Sequence, residues 1–133
     1  MQLKSKEKAA LTVLVVDDEA PVRDIERRVL ERLGCHVLEA TDGTHLIDVL
    51  AGGARVDLLI ADLDMPVVRG DEMARRIRRS RPDLPVLYVT GHTDWLMDGR
   101  TLGKGEAFLG KPFSPEGLRE AVLKLLESTA GMD

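Results

Sequence analysis

Short apolar runs that stop on a polar residue recur along this chain. Leu11-Thr12-Val13-Leu14-Val15-Val16 runs into Asp17-Asp18, and Val56-Asp57-Leu58-Leu59-Ile60-Ala61 runs into Asp62. Val86-Leu87-Tyr88-Val89 precedes Thr90, and Ala107-Phe108-Leu109 lies just ahead of Lys111. Runs this short and this apolar read as strands covered on both faces. Helical spacing fills the gaps between them. Val22, Ile25, Val29 and Leu33 follow Pro21 on one predicted inward stripe, and Gly34 ends that helix. His36 to Glu39 reads as a second strand, after which Asp42-Gly43 turns into a helix carrying Leu46, Val49 and Leu50 and closed by Gly52-Gly53. A loop through Pro66 to Gly70 leads to a helix bearing Met73 and Ile77. Ser114 followed by Pro115 opens the last helix, with Leu118, Val122, Leu125 and Leu126 facing inward. Thr93 to Gly105 holds Gly99, Gly103 and Gly105 with poor apolar periodicity, so its helix is expected to be short, irregular or mobile. Strands alternating with helices predict an α/β fold built on a doubly wound parallel sheet.

In such a sheet the strand carboxyl ends converge along one edge, where ligands bind. Asp17, Asp18, Asp62, Thr90 and Lys111 would then meet, and three carboxylates, a hydroxyl and an ammonium describe a metal-assisted phosphoryl site. An aspartate accepts a phosphoryl group only where the incoming charge is neutralised. Asp18 and Asp62 could ligate Mg²⁺ directly, with Asp17 orienting a metal-bound water and Mn²⁺ as a substitute. Lys111 supplies a fixed positive charge and Thr90 a hydrogen bond, in a reaction catalysed mostly by positioning.

Length and charge narrow the partners. At 133 residues the chain makes one domain, expected over 11–128, with 1–10 a leader or linker and 129–133 a tail. Its 19 basic and 23 acidic residues leave a net charge of −4, which argues against nucleic-acid binding. The arginines between Arg75 and Arg81 form a solvated helix face or, as the alternative, a docking patch. The single cysteine, Cys35, cannot form an internal disulfide and reads as a packing residue in a reducing cytoplasm. No apolar run is long enough to span a bilayer, and Met1 to Ala10 lacks the apolar core of a signal peptide, so no membrane contact is expected.

Val15-Val16-Asp17-Asp18-Glu19, Asp62-Leu63-Asp64-Met65-Pro66 with Gly70 beyond it, Val89-Thr90-Gly91 and Lys111-Pro112-Phe113 together resemble the receiver domain of bacterial response regulators in two-component signalling. The resemblance spans about Leu11 to Ser128. It implies a flavodoxin-like (βα)5 fold with strand order 2-1-3-4-5, and a phosphorylation-dependent switch rather than a metabolic enzyme. It implies Asp62 as phosphoacceptor, Asp17, Asp18 and the backbone carbonyl of Asp64 around Mg²⁺, Thr90 and Lys111 on the phosphate, and a cis Lys111-Pro112 bond. Phe108 falls at the aromatic position that swings inward on activation. The donor implied is a phosphohistidine on a histidine kinase or a histidine phosphotransfer protein.

Departures from the family pattern carry their own expectations. Gly91 stands where alanine is common and should loosen its loop. Phe108 lacks the hydroxyl of a tyrosine, so its switching rests on packing. His92 is expected either to tune hydrolysis together with the Asp64 carboxylate or to be an ordinary loop residue, while His36 and His45 read as surface residues. Trp95 and Leu96 cover the core edge or form a partner patch. The motifs around Thr90 and Lys111 are closest in character to receivers at the end of hybrid sensor histidine kinases. In that case Lys4-Ser5-Lys6-Glu7-Lys8 would be a tether; a stand-alone receiver is the other context. A rival class is the aspartyl-phosphate phosphatase of the haloacid-dehalogenase type, suggested by Asp62-Leu63-Asp64 after a strand. In that class the nucleophile sits on the first strand, whereas here an acidic pair lies 44 residues upstream of it.

Overall fold

The computed structural model describes residues 11–53, 55–65, 70–92 and 103–130. Five strands, β1 (Thr12–Val16), β2 (His36–Ala40), β3 (Leu58–Asp62), β4 (Val86–Thr90) and β5 (Glu106–Gly110), form one sheet in the order β2-β1-β3-β4-β5. Every pairing is parallel. The helices are α1 (Ala20–Arg32), α2 (Gly43–Ala51), α3 (Gly70–Ser80) and α4 (Pro115–Ala130). The strand order reverses between β1 and β3, so a crevice opens beyond their carboxyl ends. The expected short helix within 93–102, Trp95 and Leu96 in it, the loop through Pro66 to Arg69 and the termini lie outside the described residues.

Alternation along each strand sends side chains to two cores. Leu14, Val16, Leu59, Ala61, Val86 and Tyr88 pack toward α2 and α3 with Leu46, Met73 and Ile77. Val13, Val15, Leu58, Ile60, Leu87 and Val89 pack toward α1 and α4 with Leu30, Leu118 and Val122. β1, β3 and β4 are thus covered on both sides, as their apolar runs require. Asp57, the polar interruption in the third run, stitches β3 to β1: its Oδ2 accepts the Thr12 N–H (2.8 Å) and its own N–H donates to the Thr12 carbonyl (2.7 Å).

Helix ends follow the predicted signals. The Asp42 side chain accepts the His45 N–H at 2.9 Å, and Gly34 takes φ 91° just past α1, a left-handed value that a side chain would strain. Ser114 Oγ accepts the Gly117 N–H at 2.9 Å. Ser114→Ala is therefore expected to cost about 1 kcal/mol in urea unfolding; no measurable change would mean that this cap does not hold α4. α4 itself runs to Ala130, two residues beyond the expected domain end.

The inward stripe of α1 differs from the predicted one. Ile25 is 41% exposed, and Glu26 takes its place in the interior at 1%, beside Val29, Leu30 and Leu33. Helical spacing from Val22 admits either 25 or 26 on the buried side, and apolarity pointed to the wrong one.

Candidate functional site

The four strand ends deliver their polar residues to one place. Asp17 follows β1, Asp62 closes β3, Thr90 closes β4 and Lys111 follows β5. Asp17 and Asp62 are buried at 1% and 3% exposure, while Asp18 is open to solvent. Carboxylate oxygens of Asp17, Asp18 and Asp62 lie within 4.8 Å of one another. The Lys111 ammonium sits 3.3 Å from Asp62 Oδ2 and 3.4 Å from Asp17 Oδ2. The Lys111-Pro112 peptide is cis, as the resemblance implied. Glu19, the last residue of the Val15–Glu19 motif, adds a third carboxylate near the Lys111 ammonium, at 3.9 Å.

Asp17 is held firmly. Its Oδ1 accepts the Glu19 N–H at 2.8 Å, and its carbonyl accepts from Arg23 Nη1 at 2.7 Å. Burial lifts its carboxyl to about 6; the Glu19 N–H opposes this, and the charge of Asp62 adds to it. Burial raises Asp62 as well, against the Asp64 N–H (3.0 Å to Asp62 Oδ1) and Lys111. Burial works against the charge of Lys111, but Asp17 and Asp62 outweigh it and raise the ammonium. Three clustered carboxylates facing one ammonium leave an excess of negative charge. That oxygen donor set fits a hard divalent cation such as Mg²⁺.

Behind this cluster lies Glu26, whose role no motif signalled. Its Oε1 has no hydrogen-bond partner among the described residues. Burial pushes it up to about 9, the charges of Asp17 and Asp62 add to the rise, and Lys111 and Arg23 oppose it.

On the other flank, the Asp64 carboxylate reaches across to the loop after β4. Both of its oxygens lie 3.1 Å from Thr90 Oγ1, Oδ2 accepts the Gly91 N–H at 2.9 Å, and Oδ1 is 3.0 Å from His92 Nδ1. The His92 N–H in turn donates to Thr90 Oγ1 at 3.0 Å. Burial would raise Asp64, but Gly91, His92 and Thr90 overcome it and lower the carboxyl, favouring its charged form. At the start of the loop where Gly91 stands, Gly91 and His92 are both held by these contacts. Phe108 is half-buried, its ring centroid 5.3 Å from that of Tyr88 across the β4–β5 pair. The Tyr88 hydroxyl donates to Glu106 Oε2 at 2.6 Å, and Arg78 Nη1 lies 3.4 Å from the same oxygen, joining α3 to β5.

Comparison with known proteins gives this arrangement a family. The chain belongs to the response regulator receiver domain family, whose pattern it matches over residues 13–123. It is 36% identical over 118 residues to the phosphate regulon transcriptional regulatory protein PhoB of Pseudomonas aeruginosa, covering 86% of this chain and 49% of that one. It is 32% identical over 118 residues to the sensor kinase CckA of Brucella abortus, covering 87% of this chain and 12% of that one. The chain therefore spans about half the length of one relative and a small part of the other. Among solved structures, the chemotaxis protein CheY4 of Vibrio cholerae superposes with a TM-score of 0.77 at 31% identity, covering 88% of this chain and 99% of that one. A flavodoxin-like sheet in the order 2-1-3-4-5 is the fold of this family of signalling switches, and the phosphatase rival finds no support. No helix among the described residues is long and apolar enough to cross a membrane.

Proposed function

We propose that this domain accepts a phosphoryl group from a phosphohistidine donor onto Asp62 and passes the resulting change of state to a protein partner. The observation that carries the reading is Lys111 lying 3.3 Å from the buried Asp62 carboxylate, with Asp17 and Asp18 beside it. A carboxylate oxygen of Asp62 attacks phosphorus, the P–N bond to the donor imidazole breaks, and an acyl phosphate forms while the imidazole leaves with its electron pair and takes up a proton. A bound Mg²⁺ or Mn²⁺ would neutralise charge on the transferring group. Asp17, Asp18, Asp62 and the main-chain carbonyl of Asp64 would hold it. Lys111 then stays within reach of a phosphoryl oxygen, and Thr90 offers its hydroxyl to another. The donor is a histidine kinase or a histidine phosphotransfer protein, in a hybrid kinase or with a stand-alone receiver.

Intact mass after treatment with a small acyl-phosphate donor tests the proposal. One phosphoryl group should be gained with Mg²⁺ or Mn²⁺ present and none after chelation, with Asp62 as the modified residue. Modification mapped to any other residue would sink the assignment.

The lifetime of the acyl phosphate depends on the water that attacks it. Asp64 and His92, 3.0 Å apart beside Thr90, would flank that approach, where a carboxylate can accept a hydrogen bond from the water and an imidazole can position it. His92→Ala is expected to change the decay rate several-fold, about 1 kcal/mol in barrier, without abolishing uptake. Identical decay curves for parent and variant would make His92 a loop residue only.

A further inference from the structure

The hydroxyl expected to reach a phosphoryl oxygen, that of Thr90, is already engaged, together with the neighbouring Gly91 N–H. Thr90 Oγ1 and the Gly91 N–H both point at the Asp64 carboxylate, at 3.1 and 2.9 Å, and His92 Nδ1 closes on it at 3.0 Å. Hydroxyl, main-chain N–H and imidazole around one anion make the kind of cradle that binds an oxyanion. Lys111, meanwhile, is paired with Asp17 and Asp62 and does not hold Asp64. The side chain two residues after the acceptor therefore takes the part of phosphoryl oxygens at the β4 end.

We propose that the Asp64 carboxylate is an internal stand-in for the phosphoryl group, holding Thr90 and Gly91 toward the site until an incoming phosphoryl group displaces it. The proposal rests on Asp62 being the acceptor and adds a regulatory contact within the same site. Two consequences follow. Phosphoryl oxygens and the Asp64 carboxylate compete for the same donors, so Asp64 weakens the hold on the phosphoryl group. Thr90 and Gly91 are also held toward Asp64 before any phosphoryl group arrives, so phosphorylation exchanges one acceptor for another at these two residues. Once displaced, the carboxylate is released beside His92, on the approach of the hydrolytic water.

Amide NMR of the full chain separates this contact from a mere charge effect. In ligand-free Asp64→Ala the Gly91 N–H resonance should move upfield, having lost a charged acceptor. Beryllofluoride with Mg²⁺ should bring it back in the variant and move it little in the parent. The variant should also bind beryllofluoride about tenfold tighter, the scale of one charge-assisted hydrogen bond. Glu19→Gln removes a carboxylate of the same sign near Lys111 and is expected to leave the Gly91 resonance in place and to gain less affinity. A Gly91 resonance unmoved in ligand-free Asp64→Ala overturns the proposal, as does a gain no larger than that of Glu19→Gln. Absence of any beryllofluoride response in both parent and Asp64→Ala would instead overturn Asp62 as acceptor, and displacement with it; the ligand-free shift tells these failures apart.

Discussion

Asp62→Asn is expected to abolish phosphoryl uptake and, in the same protein, to stabilise the fold. The loss is complete because an amide cannot form the acyl phosphate. The gain follows from burial: Asp62 is 3% exposed, and its charge is disfavoured by desolvation and by its acidic neighbours. Asparagine keeps an oxygen for the Asp64 N–H and leaves Lys111 its partner Asp17. Removing a buried charge while its counter-ion stays paired should raise the unfolding free energy by about 1–2 kcal/mol. Urea unfolding without divalent cation should show a higher midpoint at an unchanged slope. A destabilised variant would mean that the Lys111–Asp62 pair outweighs the crowding of the carboxylates. Functional sites commonly trade stability for chemistry in this way.

Glu26→Leu should give the larger gain in stability, with a pH signature. The folded state holds the Glu26 proton up to about 9, whereas an unfolded glutamate releases it near 4.5. The folded state therefore binds the proton more tightly, and the stability of the parent through this group is fullest below the unfolded value and drains away as pH rises toward 9. At pH 7 the cost of keeping it protonated is on the order of 3 kcal/mol. Leucine removes that cost, so the variant's advantage should widen between about pH 5 and 9 and level off beyond. Glu26→Gln should flatten the pH dependence in the same way while gaining less, since its amide still needs partners. Parallel stability curves for parent and Glu26→Leu across that range would refute the assignment. Asp17, also raised, moves in the same direction below about 6.

The parts of the site legible in sequence were those that depend on strand ends. An apolar run fixes where a strand lies, and a polar residue at or just past its end falls at the crevice, as Asp17, Asp62, Thr90 and Lys111 do. What depends on rotation about a helix or on side-chain reach was not legible. Ile25 and Glu26 differ by one step around α1, and a rule that buries apolar residues chooses Ile25. The Asp64 carboxylate meets Thr90 and Gly91 from 26 and 27 residues away, through side-chain torsions that no spacing encodes. Glu19 stands in the Val15–Glu19 motif with no role of its own there, and only the position of Lys111 gives it a partner. The clasp of Tyr88, Glu106 and Arg78 likewise joins three elements whose residues are unremarkable one by one.

That clasp divides the work between two neighbouring rings. Tyr88 lies within the sheet with its hydroxyl secured by Glu106, and Phe108, tilted against it on the edge strand β5, is a bare hydrocarbon. A phenol moving between water and interior must shed its hydration on the way in and recover it on the way out. Phe108 has no hydroxyl to desolvate, so an inward rotation of its ring, were it to accompany phosphorylation, would be limited by how readily the Tyr88 face and its neighbours make room. Such a rotation would then depend on packing density and be sensitive to a single methylene near Phe108.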